Sequence, residues 1–487
     1  MQDIGRRDFI KMAGLGALAA ALPRWAFAKS KRASKPNIVV IVSDDQGYAD
    51  VSYNRHHAEE VATPHTDALA RSGVVCTSGY TTGAVCSPTR AGLMTGRYQQ
   101  RFGIYTAGAG GSGVPLDEVM FPQYLKKAGF VSGAFGKWHL GLEPPYNPIN
   151  RGFDEFYGFL GRGAHDYFNL TIDNNRFGSP IYRNLEPIND KGYLTHRITD
   201  EAVSFIDRHK GRPFFAYVAY NAVHAPAQAP EDDIKRYDTG DETRNILMAM
   251  IKHLDDGVGK IIATLKKAGV YDNTLVFYLS DNGGAKAMHA DNTPLRGFKQ
   301  QEYEGGVHVP FIVSWPGRLS KGGACAVPVV SFDILPTALA AAGIDPPKDR
   351  ILDGKNILPA LEGKTGKLHE SVCWNSGDGD WAIRYGDWKL VGIKDSVELF
   401  NLKDDLSETT DLAGKHPEKV RQLKKIYNAW LDEMAEPLCG AFKRWDPSKA
   451  AMLKKGGNKA VRRAKEKQTR IKQRDARKSL EKAGRIP

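Results

Sequence analysis

Residues 37–45 read Asn37-Ile38-Val39-Val40-Ile41-Val42-Ser43-Asp44-Asp45, an unbroken β-branched run that stops on a serine and two aspartates. A strand with one wet face alternates apolar and polar residues. A run without alternation fits a strand buried on both faces of a parallel sheet. The pattern returns at Thr274-Leu275-Val276-Phe277-Tyr278-Leu279, which ends in Ser280-Asp281-Asn282-Gly283. Residues 213–220 and 309–314 are two further runs, and helical stretches lie at 64–72, 121–128, 195–209 and 244–268. Strands alternating with helices predict an α/β fold, a large doubly wound domain over residues 36–345. Ligands of such sheets bind beyond the carboxyl ends of the strands, where both acidic clusters fall.

Outward from that core the composition changes. Residues 345–364, rich in Pro, Gly and Lys, read as a crossover. Short strand candidates at 371–374, 381–384, 388–391 and 398–402 follow, then a helix at 417–434. They predict a small C-terminal α+β domain, residues 346–440, with a short antiparallel sheet. Residues 441–487 form a basic tail with too few large apolar residues to bury a core. From Lys443 onward there are 17 Lys and Arg against 4 Asp and Glu, a charge of +13, so the chain's net +12 leaves the rest near −1 (+12 − 13). A neutral body with a basic tail argues against a nucleic-acid partner. The tail reads as a solvated appendage, with binding to anionic glycans or membrane surfaces as the next alternative.

The N-terminus reads as an address. Gly5-Arg6-Arg7-Asp8-Phe9-Ile10-Lys11 is a twin-arginine pattern, followed by a soft apolar stretch at 12–22 and by Ala26-Phe27-Ala28, a small-x-small cleavage site. Residues 1–28 are therefore expected to be an export signal read by the twin-arginine translocase, with a mature start near Lys29 and a periplasmic or secreted product. The apolar stretch falls short of the roughly 20 residues a bilayer span needs, so no transmembrane segment is expected in the mature chain. Of the five cysteines, Cys76, Cys86, Cys325, Cys373 and Cys439, none shows metal-finger spacing.

Asp44, Asp45, Asp281 and Asn282 form a set of hard oxygen donors at two strand ends. Such donors suit Ca²⁺ or Mg²⁺ rather than zinc. Each pair alone reads equally well as a turn; their shared position favours metal. Cys86 lies in Thr82-Gly83-Ala84-Val85-Cys86-Ser87-Pro88-Thr89-Arg90-Ala91-Gly92-Leu93-Met94-Thr95-Gly96. Pro88 early in a helix-compatible run and Gly96 after it put Cys86 near a helix N-terminus, which favours an anion or thiolate. Alone, a single cysteine is more often a small buried hydrophobe.

Cys86-x-Pro88-x-Arg90 followed by Ala91-Gly92-Leu93-Met94-Thr95-Gly96 resembles the signature of the type I sulfatases, in the alkaline phosphatase superfamily. Other motifs match that family in order: Ser43-Asp44-Asp45-Gln46-Gly47, Gly136-Lys137-Trp138-His139-Leu140-Gly141, Val223-His224-Ala225-Pro226, Ser280-Asp281-Asn282-Gly283, Leu295-Arg296-Gly297-Phe298-Lys299 with Tyr303-Glu304-Gly305-Gly306, and Arg384-Tyr385-Gly386-Asp387-Trp388-Lys389-Leu390. One departure is His308, where many relatives carry Arg.

The resemblance implies a sulfuric ester hydrolase acting on a sulfated carbohydrate or an aryl sulfate surrogate. It implies that Cys86 is oxidised by a formylglycine-generating enzyme and that the hydrated aldehyde is the nucleophile. Asp44, Asp45, Asp281, Asn282 and residue 86 would hold Ca²⁺ (Mg²⁺ as the second choice). Arg90 and Lys137 would stabilise the ionised hydrate. Lys299 and His224 would bind the sulfate, with His224 protonating the leaving oxygen, and His139 would accept the proton whose removal releases sulfate. The alternatives are a phosphonate monoester or phosphodiester hydrolase of the same superfamily, and a catalytically silent secreted glycan-binding protein. Tyr80, Arg97, Arg101, His165, Asp166, His289, Asp291 and Arg296 stay outside the catalytic set as candidate subsite residues.

Overall fold

The computed structural model describes residues 35–438 except 108–112, 162, 175, 176, 178, 378 and 395. The export signal (1–28), Cys439 and the basic tail (441–487) lie outside the described residues.

The run that opened the sequence forms strand β1, Asn37–Ser43, buried along its whole length. Its side chains alternate between two cores: Ile38, Val40 and Val42 join one, Val39 and Ile41 the other. This is why the run never alternates in polarity. In chain order the further strands are β2 (Val74–Cys76), β3 (Gly79–Tyr80), β4 (Val131–Lys137), β5 (Glu155–Phe159), β6 (Ile181–Arg183), β7 (Glu186–Ile188), β8 (Phe214–Ala219), β9 (Thr274–Ser280), β10 (Phe311–Ser314), β11 (Gly323–Cys325) and β12 (Val329–Val330). Ten of them make one sheet, ordered β11-β2-β10-β9-β1-β8-β4-β5-β6-β7.

The doubly wound α/β architecture is as expected, with one difference. The run at 309–314 does form a strand, β10, but it is antiparallel to β9. A parallel return needs a long crossover, usually helical. The 281–310 connection contains only one-turn helices, at Lys286–Met288 and Glu304–Val307. Strands β9, β1, β8, β4 and β5 form the parallel centre.

Among the described residues the α-helices longer than one turn are α1 (Pro64–Ser72), α2 (Cys86–Thr95), α3 (Phe121–Lys126), α4 (Leu194–His209), α5 (Glu242–Lys267), α6 (Ile334–Ala341) and α7 (Pro417–Leu431). Residues of α1, α4 and α5 share a core with Val39 and Ile41. Residues of α2, α3 and α6 cover the other face. Among the described residues no helix is long and apolar enough to cross a membrane.

The C-terminal strands β13 (Ser371–Asn375), β14 (Trp381–Tyr385), β15 (Trp388–Ile393) and β16 (Ser396–Asn401) form the expected antiparallel sheet. Its faces part by the period-2 rule. Cys373, Ile383, Leu390 and Leu399 pack with Leu423 and Tyr427 of α7. Val372, Trp374, Ala382, Val391 and Phe400 pack instead against Tyr80, Tyr98, Tyr303, Val307 and Phe332 of the large domain. Trp374 Nε1 also donates across this seam to the Thr81 carbonyl, at 2.7 Å.

Candidate active site

The register of the central strands assembles the site. Ser43 of β1 lies opposite Ser280 of β9, so Asp44 and Asp281 leave the sheet at one level. The Asp281 N–H donates to the Ser43 carbonyl at 3.0 Å, and the Asp44 N–H to the Ala222 carbonyl at 2.9 Å. Strand β8 runs into Asn221–His224, and β4 ends on Lys137, two residues before His139. Four neighbouring strand ends thus deliver every site residue except Cys86, Arg90 and Lys299. Asp45 and His139 adopt left-handed backbone angles, φ 62° and 58°, which turn both side chains back over the sheet end.

Cys86 is the first residue of α2, and Arg90, four residues on, shares its face. Arg90 is fully buried; its Nε and Nη2 lie 2.8 and 2.7 Å from Asp281 Oδ2. Its Nη1 donates to the Lys137 carbonyl at 3.1 Å. The Lys137 ammonium, also buried, makes a short contact to Asp44 Oδ2. Lys299 Nζ lies 2.7 Å from Asp45 Oδ1, and Asn282 Nδ2 donates to the same oxygen at 2.8 Å. His224 Nδ1 donates to the Ala225 carbonyl at 2.7 Å, which fixes its proton there. Its Nε2, 3.6 Å from Asp45 Oδ2, is the nitrogen open to a substrate oxygen. The Lys299 and His224 side chains keep 16% and 18% of their surface exposed, while Asp44, Arg90 and Lys137 keep none. Approach is therefore from the Lys299–His224 side.

The electrostatics follow from this packing. Burial opposes the Cys86 thiolate, but Lys137 and Lys299 outweigh it and hold the thiol below its ordinary range. Burial, then Lys137 and Arg90, hold His139 well below the usual histidine range. Its neutral imidazole places Nδ1 3.3 Å from Cys86 Sγ, fit to accept a proton. Burial opposes the Asp45 carboxylate too, yet Lys299 and His224 hold it below the carboxylate range. Asp281 goes the other way, pushed up by burial and by Asp44.

A cation fits these donors. Asp44 Oδ1 and Asn282 Oδ1 are buried and have no hydrogen-bond partner among the described residues, a costly state unless something binds them. Ligand atoms of Asp44, Cys86 and Asp281 lie within 4.8 Å of one another, as do those of Asp44, Asp45 and His224. Their oxygens are of the kind Ca²⁺ and Mg²⁺ take.

All ten residues singled out from the sequence thus converge on one place. The looser candidates do not join them. Arg97 pairs with Glu118, Arg101 with Asp353, and His289 with Asp241. Asp166 accepts from the Phe168 and Asn169 N–H groups and His165 Nδ1 contacts the Asp166 carbonyl, so both serve their own loop. Tyr80 and Arg296 belong to a second charge cluster at the domain seam.

Asn292 was missed. Its side chain accepts from the Tyr48 and Gly284 N–H groups, at 3.3 and 2.9 Å, and donates to the Gly284 and Gly297 carbonyls, at 3.2 and 3.1 Å. One buried amide therefore ties both metal-ligand loops to the Lys299 turn. In sequence, Asp291-Asn292-Thr293-Pro294 reads only as a turn.

With this geometry in place, comparisons with known proteins are direct. The sulfatase family model matches residues 36–344, and a second, described as N-sulphoglucosamine sulphohydrolase, C-terminal, matches 298–436. The chain is 34% identical over 433 residues to mouse (Mus musculus) N-acetylgalactosamine-6-sulfatase, covering 83% of this chain and 79% of that one. It is 30% identical over 498 residues to the uncharacterized sulfatase YdeN of Escherichia coli K12, covering 83% and 87%. The crystal structure of Ps i-CgsB in complex with k-i-k-neocarrahexaose superposes with a TM-score of 0.79 at 33% identity, covering 86% of this chain and 97% of that one.

Proposed function

The chain belongs to the sulfatase family and is a sulfatase, and from that premise we propose that it removes ester sulfate from a sulfated carbohydrate outside the cytoplasm, using oxidised Cys86 and a bound Ca²⁺. The observation that carries the chemical part is a charge count. Asp44, Asp45 and Asp281 face Arg90, Lys137 and Lys299, three negative charges against three positive, with buried oxygens still unpartnered. A divalent cation would raise the sum to +2. A sulfate monoester and an ionised nucleophile, one negative charge each, would cancel it, leaving the proton that His224 donates.

When bound, Ca²⁺ would act as a Lewis acid on a sulfate oxygen and as a template at residue 86. The aldehyde form of residue 86, as its hydrate, would supply one hydroxyl for attack and a second whose deprotonation releases sulfate. The chain's own groups divide the remaining work. Lys137 and Arg90, buried beside residue 86, hold negative charge at that position without reorganising. Lys299 and the Nε2 of His224 sit at the open side, where sulfate oxygens and the leaving oxygen arrive. His224, protonated on both ring nitrogens, would give its Nε2 proton to that oxygen. His139, held neutral, is the base at residue 86.

The sugar-sulfatase name of the mouse relative and the oligosaccharide complex of the structural neighbour support a glycan substrate. The twin-arginine pattern of Gly5–Lys11 supports export. The test is a desulfation screen on defined sulfated saccharides, galactose and N-acetylgalactosamine series first, with protein made alongside a formylglycine-generating enzyme. Aryl sulfate and aryl phosphonate esters are run in parallel. Higher kcat/KM on sulfate, with at least one sugar desulfated, is expected. Higher kcat/KM on phosphonate, or no sugar turned over, would contradict the proposal.

A further inference from the structure

The Lys299 turn is held from outside its own domain. Residues 296–306 form a tight reversal closed by the Gly305 N–H donating to the Arg296 carbonyl at 2.7 Å. Only glycine fits inside it, since a Cβ on Gly305 would lie 2.3 Å from the Gly297 carbonyl oxygen and one on Gly306 1.8 Å from that of Gln301. Its tip is braced by backbone bonds from Lys299 N–H to the Gly284 carbonyl, 3.1 Å, and from Gln300 N–H to the Ala84 carbonyl, 2.8 Å. Its two ends are gripped by one residue of the small domain. Arg296 Nη1 donates to the Glu408 carbonyl at 3.0 Å, and Glu408 Oε2 accepts from the Glu304 N–H at 2.7 Å.

Glu408 is itself fixed. Lys389 Nζ lies 3.0 Å from Glu408 Oε1 and 2.9 Å from Glu304 Oε1, and all three side chains are fully buried. Glu304 Oε2 accepts from the Tyr80 hydroxyl at 2.7 Å and contacts His308 Nδ1 at 2.9 Å. Arg384, beside Lys389 in the β14–β15 ladder, reaches the Tyr80 hydroxyl. Two cations side by side on one sheet face repel. Here Lys389 meets two carboxylates, one from the turn and one from the small domain, while Arg384 donates to the Tyr80 hydroxyl and the Gly386 carbonyl.

We propose that the small domain positions Lys299, with Glu408 and Lys389 acting as positioning residues through the two ends of the 296–306 turn. Lys299 then points at the sulfate site because a second domain clamps its loop, and the small sheet is a working part of the active site. This rests on the reading of Lys299 as a sulfate-binding group, so the test separates the two.

The variants are Glu408→Ala, which leaves the Glu304 N–H without an acceptor, and Glu408→Gln, which restores one. Kinetics on an aryl sulfate and hydrogen exchange of the backbone are measured on the full chain. Glu408→Ala is expected to raise KM about tenfold with a smaller change in kcat, the mark of lost ground-state binding. Glu408→Gln should recover most of that. The Gly305 and Gly306 amides should exchange faster in Glu408→Ala, with β1 and β9 unchanged. A purely structural role would lower kcat through the active fraction, leave KM alone and loosen all amides together, and would overturn the proposal. Unchanged exchange in the turn would overturn it too. Faster exchange in the turn with no sulfate turnover by the wild type would sink the functional reading and leave the clamp standing. If Glu408→Ala does not fold, Arg296→Ala, a partly exposed change, decides. It should raise KM about threefold, and an unchanged KM would overturn the clamp.

Discussion

The protein holds two charge clusters, one on either side of the Lys299 turn. At the strand ends, Asp44, Asp45 and Asp281 meet Arg90, Lys137 and Lys299. At the seam, Glu304 and Glu408 meet Lys389, and Arg384 is near enough to Glu304 to favour its carboxylate. The first keeps Asp44 Oδ1 and Asn282 Oδ1 unpartnered and opens to solvent at Lys299 and His224. The second is closed, and each of its carboxylates pairs with Lys389. A buried ion set that excludes ligand serves the architecture. One that leaves oxygens free and one side open is built to receive a cation and an anion.

The largest contrast should come from one lysine in each cluster. Lys389→Met strands two buried carboxylates and should cost about 3–5 kcal/mol of stability, read as a fall in Tm. Lys137→Met, in saturating Ca²⁺, should lose about 10²–10³-fold in kcat with a much smaller fall in Tm. Equal losses of Tm would erase the distinction between the clusters.

Calcium sharpens the same contrast without an activity readout. Free Ca²⁺ at 100 times its Kd should stabilise the wild type by about 2.7 kcal/mol. Asn282→Ala should shrink that gain, and Glu408→Gln should keep it. A gain that survives Asn282→Ala would place the cation elsewhere.

Asn292→Ala unties the metal-ligand loops from the Lys299 turn. It should lower kcat/KM about tenfold, on the scale of one lost buried hydrogen-bonding group. Unchanged kinetics would show the loops hold without it.

The remaining effect is a pH dependence at the seam. Burial, with Glu304 nearby and against the pull of Lys389, pushes Glu408 up to about 7. A carboxyl raised in the folded state contributes stability below its unfolded pKa and loses it as pH rises through the folded one. Glutamine mimics the protonated form. The Tm of Glu408→Gln relative to wild type should therefore rise between about pH 5 and pH 8. A relative Tm that falls over that window would reverse the assignment.

Much of this was legible in the sequence, for a physical reason. Asp44, Asp45, Asp281 and Asn282 sit at the ends of strands buried on both faces, which announce themselves as unbroken apolar runs; Lys137, His139, His224 and Lys299 were reached through the family resemblance. Cys86 was legible by its place near a helix start, and Arg90 through the resemblance of Cys86-x-Pro88-x-Arg90 to the sulfatase signature. Strand β4 was not predicted: Val131-Ser132-Gly133-Ala134-Phe135-Gly136-Lys137 has small residues where neighbours crowd in, so it lacks the β-branched signature. The antiparallel direction of β10 depends on a connection whose path no local pattern encodes. The seam was illegible as a cluster, because Tyr80, Glu304, Lys389 and Glu408 are far apart in sequence. Its one trace was His308, which stands out from the family pattern and contacts Glu304.

The central claim is that the strand-end cluster is a sulfatase site working through residue 86. The direct test is turnover of an aryl sulfate by Cys86→Ala against wild type, both prepared with a formylglycine-generating enzyme and Ca²⁺, with Tm as the control on folding. The expected result is a loss of at least ~10⁴-fold in kcat at an unchanged Tm. Substantial turnover by a folded Cys86→Ala protein would contradict it.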